Sequence, residues 1–186
     1  MLTLNFTPFP ILTSERLIFR EISESDVNEV FLLRSNPENM KFIPRPLLKN
    51  YKDALEHIKI IQNKINKNEG INWVICLKDN PKMIGLLGHY IINPEHYRSE
   101  IGYMILPEYH GKGIVTEAVE KLLDYGFNNL KLNSIEAIID PSNICSERVL
   151  QKNNFVKEAH LKENICFEGI FSDSVIYSIL KRNYKQ

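Results

Sequence analysis

The sequence has no excess of charge of either sign, because 23 Lys and Arg residues balance 23 Asp and Glu residues. A chain of zero formal net charge has no global field that attracts nucleic acid or anionic lipid, so any anion must bind at a local site. The sequence also lacks a run of the ~18 apolar residues that span a bilayer, and residues 1–8 lack the pattern of a signal peptide. We therefore expect a cytoplasmic protein that binds neither nucleic acid nor membranes.

Cysteine is scarce as well. Cys76, Cys145 and Cys166 lie far apart, without a Cys-x-x-Cys pair and without a His at zinc-finger spacing. Disulfide frameworks and structural zinc sites need closely patterned cysteines. We therefore expect neither a disulfide framework nor a metal site.

The composition is that of a folded protein, with 44% hydrophobic and 25% charged residues in a chain of 186. This length is typical of one domain with a sizeable core. We expect a single domain over residues 1–186, in which residues 1–12 form a flexible arm and the last few polar residues are disordered.

Hydrophobic periodicity indicates the order of the secondary structure. Short apolar or alternating runs predict strands over residues 15–22, 71–77, 83–92, 99–106, 134–139, 155–162 and 170–181. Apolar residues at three- and four-residue steps predict helices within residues 23–36, 51–67, 114–127 and 143–153. The order β-α-α-β-β-β-α-β-α-β-β predicts an α/β fold with a mixed sheet flanked by helices. Within it, residues 71–106 form an antiparallel meander and residues 99–139 a parallel crossover.

A glycine-bearing loop stands between the strand that ends near Leu106 and the next helix. Gly111 and Gly113 let the main chain approach a ligand, and the first turn of a helix has unpaired N–H groups and a partial positive charge. A phosphate or pyrophosphate fits such a place, although a tight turn that needs glycine only for its dihedral angles is an equal alternative. The P-loop motif and the third glycine of a dinucleotide fingerprint are both missing, which argues against an NTPase and a Rossmann dehydrogenase.

Short motifs in a fixed order resemble the GNAT superfamily of acyl-CoA-dependent N-acetyltransferases, and within it the ribosomal-protein N-terminal alanine or serine acetyltransferases. They are Thr13–Leu17 with Arg20, Gly85–Gly88, Glu100–Tyr103, Pro107–Gly113, Thr116–Ala118, Tyr125–Phe127, Asn143 with Ser146, Val149–Phe155 and Asp173. The resemblance covers most of the chain. It implies the fold of that superfamily and acetyl-CoA as the co-substrate, with no metal.

The resemblance also implies which residues bind acetyl-CoA. The family's pyrophosphate loop falls on His110, Gly111, Lys112, Gly113, Ile114, Val115 and Thr116, its pantetheine strand on Met104 to Leu106, and its CoA-facing amide on Asn143. Ile105 and Leu106 are the candidates for free main-chain groups on that strand. The sequence departs from the family at His110, at Val115, where a small residue is usual, and at Asn154, where glycine is usual.

Acyl transfer to an amine needs a base for the ammonium proton and a proton donor for the departing thiolate. Glu100 is the candidate base. The alternatives are a structural pair between Glu100 and Arg98, or a water relay with His89 or Tyr103. The resemblance implies that the Ser146 hydroxyl lies near the sulfur, whereas helix capping is the alternative role for Asn143. Cys145 suggests a covalent acyl-enzyme, but no His and Asn or Asp follow in a recognisable order, so direct transfer is preferred.

The sequence does not determine which amine accepts the acetyl group. A protein N-terminus of the ribosomal type, a polyamine, an aminoglycoside and an amino acid all fit the chemistry, and residues 37–70 and the turn near Gly169 are expected to contact it. A degraded acyl-CoA-binding sensor, favoured only by Val115, is the competing class of function. The protein is expected to be a monomer or a homodimer.

Overall fold

A computed structural model describes residues 1–184, which form one eight-stranded mixed sheet with helices on both faces. The strands are β1 (Leu12–Thr13), β2 (Leu17–Arg20), β3 (Ile71–Leu77), β4 (Asn80–Asn93), β5 (Arg98–Ile105), β6 (Ser134–Ile139), β7 (Val156–Phe167) and β8 (Ile170–Leu180). The helices are α1 (Val27–Ser35), α2 (Pro37–Met40), α3 (Tyr51–Asn66), α4 (Ile114–Asp124) and α5 (Ile144–Lys152). The sheet order is β1-β2-β3-β4-β5-β6-β8-β7.

The expected fold class is confirmed, with two additions to the expected order. Strand β1 is a two-residue strand beside β2, and α2 is a single turn that begins at Pro37. Pro37 ends α1 as expected, but its restricted φ also suits the first position of a helix. The Asn36 side chain accepts a hydrogen bond from the Glu38 N–H (2.8 Å) and so caps the new turn.

Residues 1–12 pack onto the rest of the fold, where the sequence suggested a flexible arm. Phe6 is buried, its N–H donates to Asn68 Oδ1 (2.9 Å), and Trp73 Nε1 donates to the Pro10 carbonyl (2.7 Å). These contacts join residues more than sixty positions apart, which local sequence patterns do not show. The expected disorder at the other end falls partly on residues 185 and 186, which lie outside the described residues.

Strands β5 and β6 separate after a short common stretch. Strand β5 pairs with β4 in antiparallel fashion as far as Gly85 and Ile105, but its parallel pairing with β6 covers only residues 98–100. Strand β6 continues to Ile139, paired with β8 alone. A gap in the sheet therefore opens after Glu100 and widens toward the end of β5.

The two faces of the sheet carry different helices. His89 and its β5 partner Ile101 face α4, because the His89 ring lies 3.1 Å from the Leu122 carbonyl. Met104 lies on the opposite face, where its Sδ is 3.6 Å from Arg34 Nη1 of α1. The gap between β5 and β6 thus connects an α4–α5 face with an α1–α3 face. Within residues 1–184, no helix combines the length and the apolar character that a membrane crossing needs.

Candidate active site

The loop between β5 and α4 has the conformation that its glycines permit. A short 3₁₀ turn over Pro107–Tyr109 is followed by Gly111 (φ +72°) and Gly113 (φ +74°), both in the left-handed region. A Cβ added to Gly111 would have no heavy atom within 4 Å, so the space beside this loop is open. The glycines therefore serve the backbone conformation, and they leave the main chain accessible.

Main-chain donors converge at this loop. The first hydrogen bond of α4 runs from the Glu117 N–H to the Gly113 carbonyl (3.1 Å), so the N–H groups of residues 114–116 precede the helical ladder. Within residues 1–184, the N–H groups of residues 111–113 also have no hydrogen-bond acceptor. Unpaired donors at the positive end of a helix dipole form a binding site for an anion. The loop therefore fits the pyrophosphate that the sequence assigned to residues 110–116.

Side chains from the turn between β1 and β2 hold the loop in place. Arg16 donates to the Lys112 carbonyl (3.0 Å) and forms an ion pair with Glu117 of α4 (2.6 Å), and Ser14 Oγ donates to the same carboxylate (2.7 Å). Burial alone would raise the pKa of Glu117, but the hydrogen bonds from Arg16 and Ser14 lower it below its ordinary value. Sequence reasoning missed the role of this cluster, because it joins residues about a hundred positions apart.

The end of β5 supplies one free main-chain group, where the sequence suggested two. The Leu106 N–H donates to the Ile84 carbonyl (2.9 Å) and the Leu106 carbonyl accepts from Tyr109 (3.0 Å), so Leu106 is already paired. Successive N–H groups of a strand point to opposite sides, so the Ile105 N–H points into the gap between β5 and β6. The Ile105 carbonyl accepts from His110 Nε2 (3.1 Å), which gives His110 a part in shaping the loop.

Glu100 lies where the gap begins. Its Oε1 accepts a hydrogen bond from the Tyr90 hydroxyl (2.7 Å), and Tyr90 stands at a register shift in β4. Burial, and then the bond to Glu100, raise the pKa of the Tyr90 hydroxyl above its ordinary value. The alternative pair with Arg98 is not formed, because Arg98 pairs with Glu136. Glu100 also lines an open hollow of about 320 Å³.

Ser146 lies across the gap from β5. The Tyr103 hydroxyl donates to the Ser146 carbonyl (3.3 Å), and the Ser146 N–H donates to Asn143 Oδ1 (3.1 Å). Asn143 therefore caps α5, which is the alternative role that the sequence suggested for it. Its amide nitrogen is left for other contacts. Burial raises the pKa of Tyr103 to about 12, so its hydroxyl keeps its proton at neutral pH.

Glu100 lies near the start of β5 and the loop follows the end of that strand, with the gap between β5 and β6 running from one to the other. Residues 16–156 match the acetyltransferase (GNAT) domain. The chain belongs to the GNAT family of acetyltransferases. The resemblance found in the sequence is thereby confirmed, and so is the expectation of an acetyltransferase.

Similar proteins include GNAT enzymes with different acceptors in their names. The uncharacterized N-acetyltransferase YoaA of Bacillus subtilis is 34% identical over 93% of this chain and 98% of YoaA. The spermidine N(1)-acetyltransferase of Escherichia coli is 32% identical over 89% of this chain and 86% of its own length. A protein named as a ribosomal N-acetyltransferase, YdaF of Bacillus subtilis, is 32% identical over 55% of this chain and 56% of YdaF.

Solved GNAT structures share the fold over nearly the whole chain. A GNAT-family acetyltransferase of Bacillus anthracis superposes with a TM-score of 0.82 at 29% identity, covering 93% of this chain and 99% of its own. The spermidine N-acetyltransferase of Vibrio cholerae, determined with CoA and spermine, superposes with a TM-score of 0.81 at 26% identity, covering 92% of this chain and 99% of its own.

His89 is a structural histidine of this GNAT domain. It is fully buried, with Nε2 3.1 Å from the Leu122 carbonyl and Nδ1 2.8 Å from Ser99 Oγ. A carbonyl only accepts, so Nε2 carries the proton and Nδ1 accepts from Ser99. Burial lowers the pKa of His89 to about 4, and both ring nitrogens are occupied. These contacts argue against a proton relay through His89.

The remaining departures from the family pattern have structural explanations. Val115 is half-buried and packs against the core, while its N–H is one of the free donors of the loop. Asn154 has a φ of +61°, the left-handed conformation for which glycine is usual. Within residues 1–184, no group of three or more His, Cys, Asp or Glu side chains is placed to hold a metal ion.

Proposed function

We propose that the protein is an acetyl-CoA-dependent N-acetyltransferase that transfers the acetyl group directly to a primary amine. The observation that carries this proposal is the array of unpaired N–H groups over residues 111–116, placed beside a gap in the sheet of a GNAT domain. An anion-binding helix start suits the pyrophosphate, and the gap suits an extended chain that needs main-chain partners. Ile105 and Asn143 would add contacts along that path.

Acetyl-CoA would supply an acetyl group activated as a thioester. The Ile105 N–H, which points into the gap, would stabilise the negative charge that develops on the carbonyl oxygen. Glu100 would take the proton of the acceptor ammonium, directly or through a water. Ser146, across the gap, would protonate or shield the departing thiolate. Base and acid thus approach the reacting group from opposite faces of the sheet.

Direct transfer is favoured over a covalent acyl-enzyme. Cys145 is exposed, and within residues 1–184 it makes no hydrogen bond to a histidine that could activate its thiol. It lies in the first turn of α5 between Asn143, whose side-chain Oδ1 caps the helix, and Ser146, whose N–H donates to that oxygen. Residues 144–147 of that turn include no histidine. We also propose a cytoplasmic location, where Cys76, Cys145 and Cys166 would stay reduced.

Two classes of acceptor follow from the similar proteins. A protein N-terminus of the ribosomal type is suggested by the sequence motifs and by YdaF. A polyamine is the second candidate, because the spermidine N(1)-acetyltransferase of Escherichia coli matches 89% of this chain. Both would present a primary amine to Glu100, and both need the same acetyl-CoA site.

The test is a thiol-release assay with acetyl-CoA and a panel of amines, run beside equilibrium binding of acetyl-CoA. We expect binding in the absence of amine, and thiol release that depends on the amine and yields one equivalent of N-acetyl product. Binding of acetyl-CoA without amine-dependent release for any member of the panel would instead support the sensor. Absence of binding would overturn the assignment of the loop.

A further inference from the structure

A half-buried arginine without an acidic partner lies on the α1–α3 face. Arg34, in the last turn of α1, places Nη1 3.6 Å from Met104 Sδ, while its Nε is buried and has no hydrogen-bond partner within residues 1–184. Within the same residues, no carboxylate lies within ion-pair distance of Arg34. A half-buried charge that has no opposite charge beside it, and one buried N–H without a hydrogen bond, costs the fold free energy. This cost suggests that Arg34 has a partner that the chain does not provide.

The surroundings of Arg34 add positive charge and hydrogen-bond donors. Burial, and then the nearby charge of Arg45, lower the pKa of Arg34 below its ordinary value. Burial, and then the charge of Arg34, lower the pKa of His57 of α3 to about 4, so His57 is neutral at neutral pH. One turn of chain beyond α1, Asn39 Nδ2 is another buried donor that has no partner within residues 1–184.

This arginine lies on the same face as the candidate base. Glu100 and Met104 alternate with the residues that face α4, so their side chains lie on the α1–α3 face. Four residues of a strand span about 13 Å, which is the order of the distance from Glu100 to Met104 along β5. The charge of Arg45 also acts on Tyr90, whose hydroxyl donates to Glu100. Arg34 and Glu100 therefore lie on the same face of the sheet.

We propose that Arg34 and Arg45 bind a carboxylate of the acceptor, so that the substrate is an amine that carries its own carboxylate group. This inference rests on the proposed N-acetyltransferase function and narrows its substrate class. Glu100 would receive the ammonium end, and the guanidinium of Arg34 would bind the carboxylate through charge-assisted hydrogen bonds. The carboxylate belongs to an acidic side chain, either that of a free amino acid such as glutamate or that of a residue near a peptide N-terminus.

A polyamine fits this face poorly. Spermidine presents only positive groups, and its second ammonium would lie against Arg34 and Arg45 instead of a carboxylate. Like charges placed opposite each other oppose binding. The face is therefore suited to a dipolar acceptor, with an acidic residue at one end and arginines at the other.

The experiment compares acceptors that differ only in the carboxylate. Thiol release by the full chain is measured with glutamate and its side-chain amide, with a peptide that begins Ala-Glu and its Ala-Gln counterpart, and with spermidine. We expect kcat/KM to be at least about tenfold higher for the carboxylate member of one pair. The amino acid and peptide pairs distinguish the two sources of the carboxylate.

Arg34→Met and Arg45→Met test the site itself, and Arg182→Met, an exposed arginine near the end of the chain, is the matched control. We expect either site variant to lower kcat/KM for the carboxylate acceptor by about tenfold to a hundredfold, with little change for the amide and for acetyl-CoA binding. Arg34→Met is expected to keep or raise the melting temperature, because it removes an unpaired buried charge. A purely structural arginine would instead lower stability and affect both acceptors alike.

Failure of this inference differs from failure of the proposed function. Turnover of amines without preference for the carboxylate member, or with equal losses for both members in Arg34→Met, would overturn the inference and leave the acetyltransferase intact. Should no amine be turned over, calorimetry of N-acetyl-glutamate binding to the CoA complex decides the matter. Binding that Arg34→Met weakens supports the site, and absence of binding rejects it.

Discussion

At the scale of single residues, some side chains act through their immediate neighbours along the chain. Asn143 caps α5, and Asn154 takes the left-handed conformation, as their residue types suggest. The contacts of other residues are determined by partners on other strands. Leu106 is occupied by Ile84, and Arg98 pairs with Glu136 instead of Glu100, although Arg98 and Glu100 lie on one strand.

Glu100→Gln tests the base. The amide keeps an acceptor for the Tyr90 hydroxyl but cannot take a proton, so we expect turnover of the cognate amine to fall by about 10²-fold or more. Acetyl-CoA binding should change little, because the loop over residues 110–116 lies at the other end of β5. Steady-state kinetics and equilibrium binding check both statements. Tyr90→Phe is the matched control, which removes the hydrogen bond and keeps the carboxylate. Unchanged turnover in Glu100→Gln would remove Glu100 from the mechanism.

Val115→Ala distinguishes an enzyme from a degraded sensor. The Val115 side chain packs against the core, so its truncation should lower the free energy of unfolding by about 1 kcal/mol and leave acetyl-CoA affinity nearly unchanged. Urea unfolding and calorimetry are the measurements. A large gain in affinity with little loss of stability would mean that the valine crowds the ligand, and it would favour the sensor.

At the scale of elements, periodicity predicted β3 and β6 with their observed bounds, because both strands are short apolar runs between polar turns. The loop before α4 was also predictable, since its glycines and the following apolar stripe are local signals. Two features were not: the Arg16–Glu117 pair and the unpaired Nε of Arg34. Each depends on contacts between segments far apart in the sequence, for which a single sequence carries no local signal.

Gly113→Leu tests the loop as a unit. A leucine at a φ of +74° is strained, and its Cβ would come within 3.6 Å of the Arg16 guanidinium that holds Lys112 and Glu117. We expect acetyl-CoA affinity to fall by at least about tenfold, because the free N–H groups lose their common direction. Lys112→Ala is the control: its side chain is exposed over the Tyr109 ring, and we expect a smaller loss. Equal affinities for wild type and a folded Gly113→Leu would refute the loop assignment.

At the scale of the whole molecule, the sheet joins two chemically different faces through one gap. In the proposed function, the α4–α5 face would provide main-chain donors for an anionic co-substrate, and the α1–α3 face would provide Glu100 and the arginines for an acceptor. His89 connects β4, β5 and α4 at the centre of this arrangement through its two hydrogen bonds. The integrity of both faces therefore depends on a buried histidine that must stay neutral.

This dependence predicts that stability falls in mild acid. Burial lowers the pKa of His89 to about 4 from an unfolded value near 6.5, so the folded state resists a proton that the unfolded chain accepts. The contribution of His89 to the free energy of unfolding is fully present above about pH 6.5 and is lost toward pH 4. Its slope is at most about 1.4 kcal/mol per pH unit. His57, whose pKa burial also lowers to about 4, adds to the slope but less, because it is partly exposed.

Urea unfolding at pH 7.5, 6.5, 5.5 and 4.5 measures the effect, with His89→Gln and the exposed His96→Gln as a matched pair. Glutamine keeps one donor and one acceptor but does not titrate, so His89→Gln should be less stable at pH 7.5 and lose less stability on acidification. His96→Gln should follow the wild-type curve. If His89→Gln is too unstable to compare, an NMR titration of the wild-type His89 ring gives the same answer. A ring that titrates near pH 6.5 in the folded protein would show that His89 is not held neutral by burial.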